Sequence, residues 1–331
     1  MIKYIAKRLM LMVPTLIGIT FITYALVRIS SDNYVRNMAE TMSEQSASSR
    51  NSQVYKDEMK LFGLDKPVPE GYYNWIKKAA VLDFGNSRKD GRKVTERILE
   101  VLPNSLMLNI YSIMLIYVFS VSFGLYLAVK NGSLTDKISS FVFFVIYSIP
   151  SFWLAITMLT FFAGGEYFNL FPLEGIITYG YESRSFIEKF FNIAWHLTLP
   201  AVSLSLGEIV FLTLFVKSNT LDVLGRQFII SARAKGLSEK RVIFIHAFRN
   251  SMIPLVTMIG MLIPSLFGGS VIVESVYSIP GLGMMTFEAF LSRDLPVIMS
   301  ITLISAVLTL VGILVSDILY SVVNPKIRVQ E

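Results

Sequence analysis

The sequence predicts an all-α membrane protein with six transmembrane helices and a small extracytoplasmic domain between the first two. Of its 331 residues, 53% are hydrophobic and only 16% are charged, whereas an ordinary soluble domain carries about 25% charged residues. Six apolar segments are also long enough to cross a bilayer, which takes about 20 residues in a helix. Length alone would suggest two soluble domains, but these segments exclude that interpretation.

The six predicted spans share an apolar composition and flanking polar or basic residues. They are residues 9–29, 105–129, 139–162, 197–216, 252–273 and 297–320. The first span follows a basic start, and its apolar core is longer than the roughly 7–15 residues typical of a signal peptide. We therefore expect it to be a retained anchor. Proline in the third, fourth and fifth spans predicts kinks, because proline removes a helical hydrogen bond.

Basic residues between the spans predict the orientation of the chain. The two short loops 163–196 and 274–296 contain 3 Lys and Arg residues in total. The alternate segments contain 14, and they are residues 1–8, 130–138, 217–251 and 321–331. Because cytoplasmic loops carry the excess of basic residues, both termini are expected in the cytoplasm. The same distribution explains the net charge of +6 without nucleic acid binding.

The predicted domains are residues 1–29, the N-terminal segment with the first span; residues 30–104, extracytoplasmic; and residues 105–331, the transmembrane core. Within the extracytoplasmic segment, residues 43–52 are polar and expected to be flexible, and residues 54–62 predict a short helix closed by Gly63. A second helical stripe runs from Tyr72 to Leu82. This is too little apolar core for an enzyme, and we expect a small cap.

The loop 217–251 is longer than a turn requires, and it contains the sequence SARAKGLS at residues 231–238. Small residues on a short helix allow another surface to approach the backbone closely, Gly236 can end that helix, and Ser238 can cap the next one. This pattern predicts a short exposed helix that docks into a partner. A basic loop that only sets orientation explains the same residues equally well.

The resemblance to a known family favours the docking helix. Ala232 to Leu237 reads ARAKGL and is followed by HAFRN at residues 246–250 and by Pro254. This pattern resembles the EAA loop of ABC importer membrane subunits, in the form found in oligopeptide, dipeptide and nickel permeases. Further segments resemble the same family in the same order, namely residues 64–67, 73–75, 83–87, 102–105, 268–274, 278–283, 294–297 and 324–325. Two departures are Ile230, where the general pattern has Glu, and Leu214, where many relatives are basic.

The resemblance implies the type I ABC importer fold and a role as one permease subunit in a bacterial cytoplasmic membrane. The implied partners are a second, homologous permease in a heterodimer, two cytoplasmic ATPase subunits that hold ATP and Mg, and an extracytoplasmic substrate-binding protein. Peptides are the commonest substrate of such systems. The implied coupling helix covers about residues 231–239, and the implied contact residues are Ser231, Ala232, Arg233, Ala234, Lys235, Gly236, Leu237 and Ser238.

The chain lacks a G-x-x-x-x-G-K-[ST] phosphate loop, so any ATPase site is expected on a partner. Neither H-E-x-x-H nor G-x-S-x-G occurs, which argues against an intramembrane enzyme. A secondary transporter or channel remains the alternative function. With no cysteine and two histidines, no cofactor or metal site is expected.

Three polar residues within the spans are candidates for the translocation pathway. Glu208 lies within the fourth span, where an ionised group costs about 2.5–3.5 kcal/mol on insertion scales. We expect it to face a cavity and meet a cationic substrate group, or to be hydrogen-bonded to another helix or subunit. Asn109 and Ser112 in the second span have a substrate role and a helix-packing role as alternatives.

Overall fold

The computed structural model describes residues 2–41, 66–165, 167–252, 254–255, 258, 262, 264–267 and 269–323. In these residues the regular structure is helical, apart from an isolated antiparallel bridge between Asn86 and Lys93. The α-helices are α1 (Ile2–Thr41), α2 (Val68–Ala79), α3 (Val94–Val129), α4 (Leu134–Tyr147), α5 (Ser151–Phe162), α6 (Phe186–Leu224), α7 (Gln227–Ala234), α8 (Glu239–Arg241), α9 (Phe248–Ser251), α10 (Val271–Val276), α11 (Leu282–Ser292) and α12 (Leu295–Val323).

Four of these helices are long and apolar enough to cross a membrane. They are Ile5–Ile29 within α1, the whole of α3, the whole of α6, and Leu295–Ile318 within α12. They confirm the first, second, fourth and sixth predicted spans. Helix α6 has 39 residues and is therefore about 58 Å long, so it extends well beyond a hydrocarbon core of about 30 Å. It starts at a capping box formed by Ser185 and Glu188, a signal that hydropathy alone does not detect.

The third predicted span, residues 139–162, is divided near its proline into two helices. These are α4 and α5, which are bent by 96° relative to each other and together are long and apolar enough for one span. Pro150 lies at the N-cap of α5, with an extended backbone. Because proline has no N–H and disfavours helical geometry in the residue before it, it starts a new helix here. Pro200, in contrast, lies inside the uninterrupted helix α6.

Two predicted regions fall partly or wholly outside the described residues. The predicted helix at residues 54–62 and the polar segment 43–52 are outside them. The fifth predicted span, 252–273, is only partly described, as a 3-10 turn Pro264–Phe267 and the start of α10.

The contacts divide the chain into two compact units, residues 1–102 with 285–314 and residues 103–284 with 315–331. In the first unit, α2 packs on α1 through an aromatic cluster in which Tyr24 and Trp75 are buried. The loop between α2 and α3 is held at the start of α12, where buried Asp294 accepts hydrogen bonds from the Ser87 hydroxyl and the Arg88 backbone N–H. Asp294 thereby helps to hold a loop rich in charged residues, together with the ion pair between Lys89 and Glu288.

The second unit is built around α6. Its N-terminal half packs against α3, α5 and α10 in a cluster that includes Leu108, Ala155 and Leu199. Toward the other end of α6, Lys217 forms an ion pair with Asp136 of α4, with 2.5 Å between Nζ and Oδ1. Asp136 also accepts a hydrogen bond from the backbone N–H of Gly132. This pair gives Lys217 a structural role in joining α4 to α6.

Gly124 lies where α3 and α6 approach most closely. A Cβ atom at this position would lie 2.5 Å from Cβ of Val216 and 2.8 Å from the backbone carbonyl oxygen of Thr213. Close helix approach at small residues is how membrane helices gain van der Waals contact.

We predict that Gly124→Ala lowers the free energy of unfolding by about 1–3 kcal/mol, since the added methyl overpacks the interface. The readout is the thermal unfolding midpoint of the purified protein. Gly18→Ala is the matched control, because no atom lies within 4 Å of its Cβ position and alanine favours the helix. An unchanged midpoint for Gly124→Ala would contradict this helix contact.

Candidate functional site

The loop after α6 folds into the short helix α7, which begins at Gln227 and ends at Ala234. Gly236 follows with φ +79°. The Gly236 N–H donates to the carbonyl of Arg233 at 2.9 Å, and the Leu237 N–H donates to the carbonyl of Ala232 at 3.4 Å. These bonds form a Schellman cap, which needs a left-handed residue at this position. Gly236 therefore ends the helix, as the sequence predicted.

The bounds of the predicted helix require correction. It was expected at about residues 231–239, but it starts four residues earlier and Lys235 is already its C-cap. Ser238 occupies the N-cap position of α8 without a side-chain cap hydrogen bond. The helix starts earlier because Ile229 and Ala232 pack on the chain itself, in a cluster with Val223, Val242 and Ala247.

The predicted contact residues divide by burial. Ala232 is buried and Leu237 is half-buried against the same cluster, so both hold the helix in place. The remaining six predicted residues are exposed, namely Ser231, Arg233, Ala234, Lys235, Gly236 and Ser238. They form a small, basic outer surface around the end of α7.

An ion pair spans the turn at Gly236. The Arg233 guanidinium donates through Nε to Oε1 of Glu239 at 2.7 Å and through Nη2 to Oε2 at 3.1 Å. This two-point contact joins the last turn of α7 to the first turn of α8. The hydrogen bonds from Arg233 lower the pKa of Glu239 below its ordinary value. The pair sets the geometry of the turn without a large apolar core.

Sequence reasoning missed four exposed apolar residues on this loop. They are Phe228, Ile230, Phe244 and Ile245. Ile230, noted only as a departure from the general pattern, is 50% exposed. Apolar side chains within a basic segment were the available signal, because exposed apolar groups mark interaction surfaces. The outer surface of the loop is thus both apolar and basic.

The three predicted pathway residues have different surroundings. The Asn109 side-chain amide donates to the carbonyl of Leu266 at 3.0 Å, and the buried Ser112 hydroxyl donates to the carbonyl of Leu108 at 2.9 Å. The Asn109 contact joins α3 to the 3-10 turn at Leu266, whereas the Ser112 contact lies within α3 itself. Glu208 is exposed on α6, and the described residues do not enclose its carboxylate.

Glu274 at the end of the fifth predicted span is completely buried, and the sequence analysis did not single it out. One carboxylate oxygen accepts hydrogen bonds from the Ser105 hydroxyl at 2.8 Å and the Ser270 N–H at 3.0 Å. The other accepts from the Gly283 N–H at 2.7 Å and the Met284 N–H at 3.0 Å. The last two donors belong to the first turn of α11, where a carboxylate is favoured by the helix dipole.

The glycines around Glu274 make room for its carboxylate. A Cβ at Gly281 would lie 2.4 Å from the carboxylate, and one at Gly283 would lie 2.6 Å from the backbone of Ser270 and Val271. Gly269 adopts φ +61° and approaches the backbone of Gly283. Residues 269–274 and 278–283 therefore form one structure around a buried carboxylate.

Other polar residues also hold irregular backbone. His196 Nδ1 lies 3.2 Å from the carbonyl oxygen of Gly175, and its Nε2 lies 2.9 Å from the hydroxyl of Thr178. Beside them lies a cleft of about 660 Å³ lined by residues that include Asn104, Glu174, Gly175, Tyr181 and Ser278. Among the residues that the structure describes, no three His, Asp or Glu side chains are grouped as a metal site.

Several long apolar helices mark the chain as a multi-pass membrane protein. Residues 120–329, more than half of the chain, match the family of binding-protein-dependent transport system inner membrane components. The chain belongs to this family, which makes it a permease component of an ABC-type transport system.

Curated relatives agree with this assignment. The oligopeptide transport system permease protein AppB of Bacillus subtilis (strain 168) is 35% identical over 329 residues, which cover 99% of this chain and 100% of AppB. The inner membrane ABC transporter permease protein YejB of Escherichia coli O157:H7 is 38% identical over 267 residues, or 80% of this chain and 73% of YejB. The dipeptide transport system permease protein DppB of Escherichia coli (strain K12) is 32% identical over 350 residues, or 99% of each chain.

We predict that Glu274→Gln lowers the free energy of unfolding by about 1–3 kcal/mol. Glutamine has an NH2 group in place of one carboxylate oxygen, and this group cannot accept a hydrogen bond. The buried donors that bonded to that oxygen therefore lose their acceptor. Thermal unfolding in detergent measures the change. Glu288→Gln is the control, because Glu288 forms a partly exposed ion pair with Lys89, a type worth at most about 1 kcal/mol. Equal shifts for the two variants would contradict the anchoring role of Glu274.

The Arg233–Glu239 ion pair predicts a pH dependence of the α7–α8 turn. Because the pKa of Glu239 is lowered in the folded chain, the contribution of the pair is present above the ordinary pKa and is lost as the pH falls through the folded pKa. The protection of the backbone amides of residues 233–239, measured by hydrogen–deuterium exchange relative to the intrinsic exchange rate, should therefore fall at low pH. Glu239→Gln should remove this pH-dependent loss of protection, and an unchanged loss in the variant would refute the prediction.

Proposed function

We propose that this chain is one permease subunit of an ABC importer, and that it forms half of a translocation pathway for peptides. ATP hydrolysis on partner subunits drives the transport. The observation that carries this proposal is the exposed end of α7, which is held by a glycine cap and an ion pair and is surrounded by basic and apolar side chains. Such a surface is suited to bind the groove of another protein.

In this proposal the coupling surface comprises the six exposed residues Ser231, Arg233, Ala234, Lys235, Gly236 and Ser238, supported from below by Ala232 and Leu237. A cytoplasmic ATPase binds the end of α7 and moves it when it closes around ATP and Mg. Ala232 belongs to the same cluster as Val223 of α6, so a displacement of α7 is transmitted to a helix that can span the membrane. This packing supports mechanical coupling between the loop and the pathway.

The proposed membrane arrangement has six spans, with the fifth at residues 252–273, and a small extracytoplasmic domain between the first and second. Both termini lie in the cytoplasm of a bacterium, since 14 basic residues flank the spans on that side against 3 in the short loops on the other. This orientation places α7 on the side where ATP is available.

The proposed partners are two cytoplasmic ATPase subunits, a second and homologous permease in a heterodimer, and an extracytoplasmic substrate-binding protein. The family description itself refers to dependence on a binding protein. ATP and Mg bind to the ATPase subunits and not to this chain, which carries no phosphate-loop motif. The chain is thus proposed to be a non-enzymatic part of an ATP-hydrolysing complex.

Peptides are the proposed substrates because two of the relatives aligned over almost the whole chain are an oligopeptide and a dipeptide permease. Glu208 supports this choice, as an exposed carboxylate on a spanning helix could meet the amino terminus of a peptide. Asn109 and Ser112 are proposed to pack helices beside the pathway, since Asn109 donates to the carbonyl of Leu266 and Ser112 is buried.

The test is ATP-driven peptide uptake in proteoliposomes that contain this chain with its permease partner, ATPases and binding protein. Gly236→Ala is expected to reduce uptake several-fold, because a non-glycine residue in the left-handed region costs about 1–2 kcal/mol and shifts the turn. Gly225→Ala is the matched control in the same loop, since Gly225 has right-handed helical angles and ordinary space for a Cβ.

Two outcomes would contradict the proposal. Uptake that proceeds without the ATPases would indicate a secondary transporter or a channel. Equal uptake by the Gly236→Ala and Gly225→Ala proteins, both correctly assembled, would exclude the end of α7 as the coupling surface.

A further inference from the structure

We propose that α2 is an interfacial helix, and that one of its flanks lies in the lipid headgroup region beside the first span. This lipid flank consists of Pro69, Tyr73 and Ile76 of α2 together with Ala80, the C-cap residue of the helix. The partner is therefore the bilayer surface itself. The inference concerns the position of α2 only and does not depend on the proposed transport function.

Helix α1, beside which α2 lies, has a largely exposed apolar surface. Residues Ile5–Ile29 of α1 are strongly apolar, and only 17% of their most apolar stretch is buried. Large apolar side chains such as Met10 (74% exposed), Ile22 and Leu26 lie on its surface. An apolar helix with so much exposed surface is covered by lipid.

Helix α2 is attached to this same span and not to a separate soluble core. The Tyr72 hydroxyl lies 2.7 Å from the hydroxyl of Thr20, and the rings of Trp75 and Tyr24 stack at 5.9 Å between centroids. Arg28 donates from Nη1 to the carbonyl of Lys66 at 2.6 Å. At 1.5 Å per residue, Thr20 lies about 14 Å from the end of the span at Ile29. The contacts thus hold α2 beside the last three turns of the span.

The side chains of α2 form three stripes. Gly71, Trp75 and Ala79 are buried and mark the side that packs on α1. The lipid flank follows the spacing i, i+4, i+7, i+11, and its Tyr73 is 64% exposed. The parallel stripe one residue further along, Glu70, Asn74 and Lys77, is polar. A helix in water needs only one apolar side, so the second apolar stripe needs another occupant.

Lipid is the occupant that fits this geometry. The lipid flank is attached to a span whose own apolar surface is exposed, so both surfaces can share one solvent. Tyrosine is enriched at the interface of membranes, and an apolar stripe beside a charged one is the pattern of helices that lie in the interfacial plane. The exposed Val81 and Leu82 continue the apolar surface beyond the helix, with Leu82 held at φ +59°.

The chain contains no cysteine, so single cysteines can be introduced and spin-labelled without background changes. The experiment places labels at Tyr73→Cys and Ala80→Cys on the lipid flank, and at Glu70→Cys and Lys77→Cys on the polar stripe. The full complex is reconstituted in phospholipid nanodiscs. Collision rates with oxygen, which partitions into lipid, and with a water-soluble nickel chelate are then measured. Met10→Cys on α1 provides the lipid reference.

We expect the ratio of oxygen to nickel accessibility to be several-fold higher at Tyr73→Cys and Ala80→Cys than at Glu70→Cys and Lys77→Cys. The two ratios on the lipid flank should approach the ratio at Met10→Cys. A high nickel accessibility at all four α2 sites would place the helix in water and overturn the proposal. Low accessibility to both reagents at Tyr73→Cys would show that protein covers the flank, which also overturns it. As a control for folding, the accessibility ratio at Met10→Cys is measured again in a protein that also carries Tyr73→Asp. An unchanged ratio shows that the fold is intact.

Discussion

The absence of water in the bilayer core is the constraint on which the other features depend. Inside hydrocarbon, each backbone N–H and C=O needs a partner within the protein. Helices α3 and α6 satisfy this requirement by themselves over 36 and 39 residues. Where the chain leaves helical geometry, polar side chains take over this task.

The breaks in the unit around α6 illustrate this substitution. The carboxylate of Glu274 accepts hydrogen bonds from the N–H groups of Ser270, just before α10, and of Gly283 and Met284, in the first turn of α11. Asn109 and Asn104 donate to the carbonyls of Leu266 and Pro280. Glu274, Asn109 and Asn104 are thus explained by local backbone geometry, whereas the Glu208 carboxylate is exposed on α6.

The loop that carries α7 follows a different principle, because it must be held firmly while its outer surface stays free. Apolar contacts of Ile229 and Ala232 fix the inner side of the helix, and the glycine cap with the Arg233–Glu239 pair fixes its end. Neither device covers the outer surface. The apolar side chains of Phe228 and Ile230 are exposed, which is unfavourable in water. A partner that covers them removes this free-energy cost.

The sequence by itself determined the membrane class, four of the spans, the position of the helix end at Gly236 and the family, because hydropathy and residue spacing are local properties. It misplaced the start of α7 and did not reveal that the third span is divided into two helices, since burial of Ile229 and the 96° bend after Tyr147 depend on what packs against them. Only the tertiary structure identified Glu274 as an anchor, as its donors come from Ser105, 169 residues away, and from the start of another helix. Long-range pairing of this kind leaves no periodic signal in the chain, because it arises from where the helices meet.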